Sequence, residues 1–193
     1  FHDDRLDRVT DRQGRIADLD WAEVSQARVQ GKQPIPLFEE LLSAWPDLRI
    51  NIDPKGNAAV HPLVEVLRRP GVLDRVCAGS FSGRRLATLR SILGAGLCTS
   101  MGPGEVVRLR LKSLGLPAGK FAAEAAQVPL RHYGLPVIDR RFVETAHDHG
   151  LKVHVWTIND RATMTRLLDL GVDGIMSDET ALLKAVFMEH GLW

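Results

Sequence analysis

Asn51-Ile52-Asp53-Pro54-Lys55 places a carboxylate and an ammonium two residues apart. If the strand runs on through Pro54, both side chains leave the same side of it, because side chains alternate with period two. A carboxylate is a hard ligand for Mg2+ or Ca2+, and lysine is a compact charge for a phosphate oxygen, so the pair suits a divalent cation and an anionic oxygen held side by side. The same spacing also describes an ordinary solvated ion pair. His2-Asp3 offers an imidazole, the usual carrier of protons near neutral pH, although it is one of seven histidines in the chain. His154 and Trp156 share one strand face, where the indole could wall an apolar or glycerol-sized pocket or simply fill a core. His147 and His149, two residues apart, do not share a helix face and read as cations near a helix C-terminus. Gly79-Ser80-Phe81-Ser82-Gly83 lacks the G-x-S-x-G elbow of a serine nucleophile. Cys77 and Cys98 fit neither a disulfide framework nor a zinc spacing and are expected to be small buried thiols.

These residues need a frame, and the pattern from Leu48 onward supplies one. Six short runs rich in β-formers recur at Leu48–Asp53, Arg75–Phe81, Gly96–Met101, Phe121–Gln127, Leu151–Ile158 and Val172–Ser177. Their spacing leaves room for a crossover of a dozen or more residues between parallel neighbours. The intervening segments carry apolar stripes at helical spacing, such as Leu86, Leu89 and Leu93, or Met164, Leu167 and Leu168. Asn159-Asp160 and Ser177-Asp178 stand where helix N-caps belong, Gly150 and Gly171 where helices end, and Pro46 stops the helix over Leu37–Trp45. The first 36 residues break the repeat and read as a loop-rich excursion.

About six βα units fit either an open doubly wound sheet or a (β/α)8 barrel, which needs eight strands in ~250 residues and would be incomplete in this chain. In both, chemistry gathers at the carboxyl ends of strands, where Asn51–Lys55, Ser80–Ser82, Glu124–Pro129, His154–Asn159 and Ser177-Asp178 are expected. No G-x-G-x-x-G follows the first strand, which argues against dinucleotide binding. The 193 residues are 45 % apolar and 25 % charged with a net charge of +1, a globular balance with no polybasic surface for nucleic acid or anionic lipid. No apolar run approaches the ~18 residues of a membrane span, so no stable membrane association is expected. No signal peptide is visible, but the sequence opens at Phe1 with its true N-terminus expected to be missing, so the compartment is left unknown, with the cytoplasm as the default.

In order along the chain, the residues resemble the glycerophosphodiester phosphodiesterases. His2-Asp3-x-x-Leu6-x-Arg8-x-Thr10 is similar to the family's HD-x-x-L-x-R-x-T, and Gly14-x-Ile16-x-Asp18-Leu19-x-Trp21-x-Glu23-Val24 to the segment after it. Ile35-Pro36-Leu37-Phe38-Glu39-Glu40-Leu41-Leu42 resembles a family helix entry, and Asn51-Ile52-Asp53-Pro54-Lys55 the family's N-I-E-x-K. Ser80-Phe81, Val153–Asn159 and Leu170–Asp178 complete the set. The resemblance implies a (β/α)8 TIM-type barrel that cleaves small glycerophosphodiesters to glycerol 3-phosphate and an alcohol with a divalent metal, Mg2+ or Ca2+. It implies that His2 is one of two catalytic histidines, that Asp53 stands for a metal-binding Glu, that Lys55 contacts phosphate, and that Trp156 lines the glycerol side. Charge that builds on non-bridging oxygens would meet a cation and Lys55, and His2 would move a proton at a bridging oxygen.

The family's H-R-G strand and its E-x-D metal pair have no counterpart in this sequence. The expectation is therefore one domain over 1–193, truncated at its N-terminus, with weak metal binding through Asp53 alone and no activity by itself. Two other readings use the same residues: a related barrel enzyme acting on lysophospholipids, favoured by a wide apolar pocket around Trp156 and Phe81, and a non-catalytic α/β binding module. All depend on His2, Asp53 and Lys55 converging at one mouth of a curved parallel sheet.

Overall fold

The computed structural model describes residues 1–193. The first 36 residues fold around a small apolar cluster of Leu6, Val24, Ala27 and Ile35. Helix α1 (Trp21–Val24) and the antiparallel pair β1 (Arg28–Val29) and β2 (Gln33–Pro34) belong to this excursion. The repeat then begins with α2 (Phe38–Ala44), β3 (Ile50–Ile52), α3 (Val60–Leu67), β4 (Val76–Ala78), α4 (Gly83–Leu93), β5 (Cys98–Thr99) and α5 (Pro103–Ser113). It continues with β6 (Ala125–Pro129), a small hairpin of β7 (Arg131–His132) and β8 (Leu135–Pro136), then α6 (Arg140–Asp148), β9 (Lys152–Trp156), α7 (Arg161–Leu170), β10 (Gly174–Ile175) and α8 (Thr180–Glu189).

Strands β3, β4 and β5 pair in parallel, as do β6, β9 and β10. A parallel bridge from Ser100 to Ala125 joins the two groups, giving the order β3-β4-β5-β6-β9-β10. Five of the six strands lie within the runs that the sequence predicts, while β6 begins four residues into its predicted run and extends past Gln127 to Pro129. The architecture is an incomplete (β/α)8 barrel, with free edges at β3 and β10.

Period-two alternation divides the side chains. On the helix side, Val76 and Ala78 pack with Leu63, Val64, Leu67 and Leu89 in a cluster of 10 buried residues. Ala126, Val128, Val153 and Val155 pack with Phe142, Val143, Ala146, Met164 and Leu167 in a cluster of 18. The alternate positions, Asn51, Cys77, Cys98, Gln127 and His154, turn to the concave side. There Gln127 Nε2 donates to Asn51 Oδ1 at 2.8 Å and lies 3.3 Å from His154 Nδ1. The His154 ring rests on Gly174, where a Cβ would come within 2.9 Å of it. Burial pushes the His154 imidazole below its ordinary pKa, which suits a neutral ring accepting on Nδ1. His154 is thus core filling rather than part of the mouth.

Helix ends follow the sequence in most places. Asp139 and Asp160 accept from the backbone N–H groups of Phe142 and Thr163, and Gly171 ends α7 in the left-handed region at φ 92°. Ser177-Asp178 departs from the expected cap. Glu179 holds the N-cap of α8 without a side-chain bond, Ser177 Oγ accepts from Glu179 N–H, and Asp178 bonds Asn159 instead. Glu124 also departs, because β6 starts at Ala125 and so its carboxylate lies at the amino end of the strand, bonded to Thr99 N–H at 2.7 Å.

Candidate active site at the strand mouth

β3 ends at Ile52, and the chain turns out of the sheet through Asp53-Pro54-Lys55. Lys55 Nζ donates to Asp53 Oδ2 at 2.8 Å, so the two side chains do leave on one side. Asp53 Oδ1 is buried and has no hydrogen-bond partner. A buried carboxylate oxygen without a donor is costly unless something else meets it, so this oxygen is a ready position for a cation. It is also a solitary one. No group of three or more His, Cys, Asp or Glu side chains gathers anywhere in the structure in a way that could hold a metal ion.

Trp156 closes β9 at the same, carboxyl end of the sheet. Phe81, which follows β4, meets it edge-on, with ring centroids 5.6 Å apart and planes at 80°. Phe81 remains 66 % exposed, so this aromatic corner opens to solvent at the mouth. Ser80 beside it is buried and accepts from Arg85 Nε and from Ser82 N–H. It has no histidine partner and does not form a nucleophile. Asn159, just after β9, bonds Asp178 and Ser177 after β10 and ties the last two loops together.

His2 sits in the N-terminal excursion, where the HD-x-x-L-x-R-x-T residues divide their labour. Leu6 is buried in the small cluster, and Thr10 Oγ1 donates back to the Leu6 carbonyl at 2.8 Å. Arg8 grips both oxygens of Asp3. His2 Nδ1 lies 2.8 Å from Asp3 Oδ1. The Arg8 guanidinium, followed by His2, holds the Asp3 carboxyl well below the usual carboxylate range. An ionised Asp3 makes Nδ1 the donor and leaves Nε2 of His2 free, on a side chain 79 % exposed. No polar contact joins His2 to Asp53 or Lys55. The structure therefore brings together Asp53 with Lys55 and Trp156 with Phe81, while His2 is held by Asp3.

The remaining candidates are structural. His147 Nε2 and Lys152 Nζ each lie 2.8 Å from Asp173, and His149 bonds the Thr145 carbonyl. Cys77 and Cys98 are both free, face each other in register across β4 and β5, and are half-buried rather than fully buried. Contact with Cys98 and burial push the Cys77 thiol up. A cavity of about 460 Å3 lies between the C-terminal ends of α5 and α6, lined by Lys112, Leu116, Thr145, Asp148 and His149. Helices in this fold run counter to the strands, so that cavity is on the face opposite the mouth.

A family model described as "Glycerophosphoryl diester phosphodiesterase family" matches residues 1–182. The chain belongs to this family. The glycerophosphoryl diester phosphodiesterases are phosphoric diester hydrolases, and curated relatives carry that name. Among them, the probable glycerophosphodiester phosphodiesterase 2 of Mycobacterium tuberculosis is 37 % identical over 198 residues, covering 100 % of this chain and 75 % of that protein. The glycerophosphodiester phosphodiesterase of Caldanaerobacter subterraneus is 24 % identical and covers 99 % of this chain and 80 % of that protein. The fold has counterparts among solved structures. One from Agrobacterium tumefaciens superposes with a TM-score of 0.77 at 21 % identity, over 100 % of this chain and 80 % of that one. A phosphodiesterase from Oleispira antarctica, in complex with the product sn-glycerol-3-phosphate, gives a TM-score of 0.75 at 22 % identity, over 97 % of this chain and 78 % of that one.

Proposed function

We propose that the strand mouth binds a glycerophosphodiester and serves its hydrolysis to glycerol 3-phosphate and an alcohol. The observation that carries this reading is the Asp53–Lys55 pair, one carboxylate oxygen of which is buried and unpartnered. Lys55 contacts a non-bridging phosphate oxygen and steadies the charge that grows there as the ester bond breaks. The free Nε2 of His2 exchanges a proton with the attacking or leaving hydroxyl. Asp3, fixed by Arg8, is a positioning residue that sets the tautomer of that ring. Trp156, braced by Phe81, lines the glycerol moiety.

Asp53 would hold a divalent cation, Mg2+ or Ca2+, through Oδ1, and a bound cation supplies charge against the phosphate oxygens. A single carboxylate is a weak hold for an ion that takes six or more oxygens. Hydrolysis by these 193 residues should therefore be well below the ~1 s⁻¹ that marks the slow end of ordinary enzymes.

The test is calorimetric titration of the chain with sn-glycerol 3-phosphate, paired with release of choline from glycerophosphocholine in Mg2+ or Ca2+. Lys55→Gln should weaken binding about tenfold or more, and Asp53→Asn should abolish the cation-dependent part of turnover. Binding that Lys55→Gln leaves untouched overturns the reading.

A further inference from the structure

Arg85 stands out among the cations of the mouth by its partners. Lys55 is paired with Asp53 and Arg90 with Glu105, both as ion pairs. Arg85 has no carboxylate within ion-pair distance. Its guanidinium is held by neutral acceptors alone: Nε donates to Ser80 Oγ at 3.0 Å and Nη1 to Asn57 Oδ1 at 3.4 Å. Nη2 makes no hydrogen bond within the protein and is not buried, so it opens to water.

The two partners fix where this cation sits. Asn57 lies two residues beyond Lys55 in the loop after β3, and Ser80 directly precedes Phe81 in the loop after β4. Arg85 therefore spans the two adjacent loops that carry Lys55 and Phe81. Ser80 is itself buried, which anchors the Nε side of the fork and leaves the far side for a ligand. A planar guanidinium pre-set in this way fits a carboxylate or phosphate through paired N–H donors.

We propose that Arg85 is a specificity-determining residue for the released alcohol, and that it favours glycerophosphodiesters whose head group carries a second anionic group. The inference rests on the glycerophosphodiester reading above. The substrate phosphate is met at Lys55, and the head group leaving it toward the β3 and β4 loops brings its own anion to Nη2.

Glycerophosphoserine and glycerophosphoethanolamine make a clean pair, since they differ by one carboxylate. The dissociation constants of both are measured by calorimetry on the full chain, wild type, Arg85→Gln and Arg85→Lys, with turnover of both followed separately. The wild type should bind glycerophosphoserine about tenfold more tightly than glycerophosphoethanolamine. Arg85→Gln should bring that ratio near one, and Arg85→Lys, which keeps the charge but loses the fork, should fall between. A wild-type ratio near one overturns the proposal. So does an unchanged ratio in Arg85→Gln, or an equal loss for both ligands, which would place Arg85 on the common phosphate or in loop architecture. If the ratio behaves as expected but Lys55→Gln leaves the binding of both compounds untouched, the phosphodiesterase reading fails and the selectivity of Arg85 stands.

Discussion

Around β6, β9 and β10 the core is one cluster of 18 buried residues, and β6 and β9 are five residues long. Around β3, β4 and β5 it is a cluster of 10, and no strand exceeds three residues. Yet Asp53, Lys55, Phe81 and Arg85 all belong to the thinner half. The thicker half contributes Trp156 at the mouth, with Asn159 and Asp178 tying its loops. The difference teaches how this fold separates tasks. Long ladders and dense packing seat Trp156, while short strands release the chain early into the loops that carry Phe81 and the charges.

Truncation of Phe142, fully buried in the thicker half, tests that division most severely. Phe142→Ala should cost about 3–5 kcal/mol, and Leu63→Ala in the thinner half, at 8 % exposure, nearer the low end of the ~2–5 kcal/mol range for such a change. Urea unfolding monitored by circular dichroism measures both. Equal losses would erase the contrast.

Lys55→Ala is the mirror experiment. It should weaken sn-glycerol 3-phosphate by about tenfold or more while the unfolding midpoint in urea stays put, because the ion pair with Asp53 is part-exposed. A fall in stability comparable to that of Leu63→Ala would make the pair structural.

Asp173 joins β9 to the turn before β10, and it sharpens the comparison with acid. Burial pushes its carboxyl up, but Lys152, the Val153 N–H and His147 together outweigh this, and the group sits below the ordinary carboxylate range. A depressed folded pKa contributes stability above the unfolded value near ~3.9, and that stability is lost as pH falls through the lower folded value. Asp173→Asn should cost about 1–3 kcal/mol at pH 7, and the gap from wild type should close as the acid transition is passed. A gap that is the same at pH 7 and below pH 3 would refute the assignment.

The smallest expected effect concerns His154. Its pKa is lowered by burial, so the unfolded chain takes up a proton first as pH falls below ~6.5, and stability declines from there toward the folded value. His154→Gln should flatten the slope of stability between pH 7 and 5.5, by less than ~1 kcal/mol in total. Thermal unfolding in matched buffers reads it.

Much of this architecture was legible in the residues. The six parallel strands announce themselves because apolar runs and helical stripes alternate. The Asp53–Lys55 pair also forms, although β3 ends at Ile52 and it is the loop rather than strand alternation that joins its members. What stayed hidden depends on contacts distant in sequence. Gln127 and Asn51 are 76 residues apart, and neither type signals a partner in isolation. Arg85 reads as an ordinary surface charge on a helix until Ser80 and Asn57 are seen to grip it. The grip of Arg8 on Asp3 lies hidden inside a motif whose histidine draws the eye. The hairpin of β7 and β8 escaped because two-residue strands have no period to detect, although Tyr133-Gly134, with φ of 47° and 79°, carries its turn.

The amide of Gln127 has a mechanical consequence. Nε2 reaches from β6 to Asn51 on β3 and lies within bonding distance of His154 on β9, so one side chain acts as a tie rod across the hollow of the trough. That tie lies deeper in the trough than Lys55 and Trp156, which stand at the carboxyl ends of β3 and β9. Gln127→Leu would cut the tie, and the two walls would be free to spread.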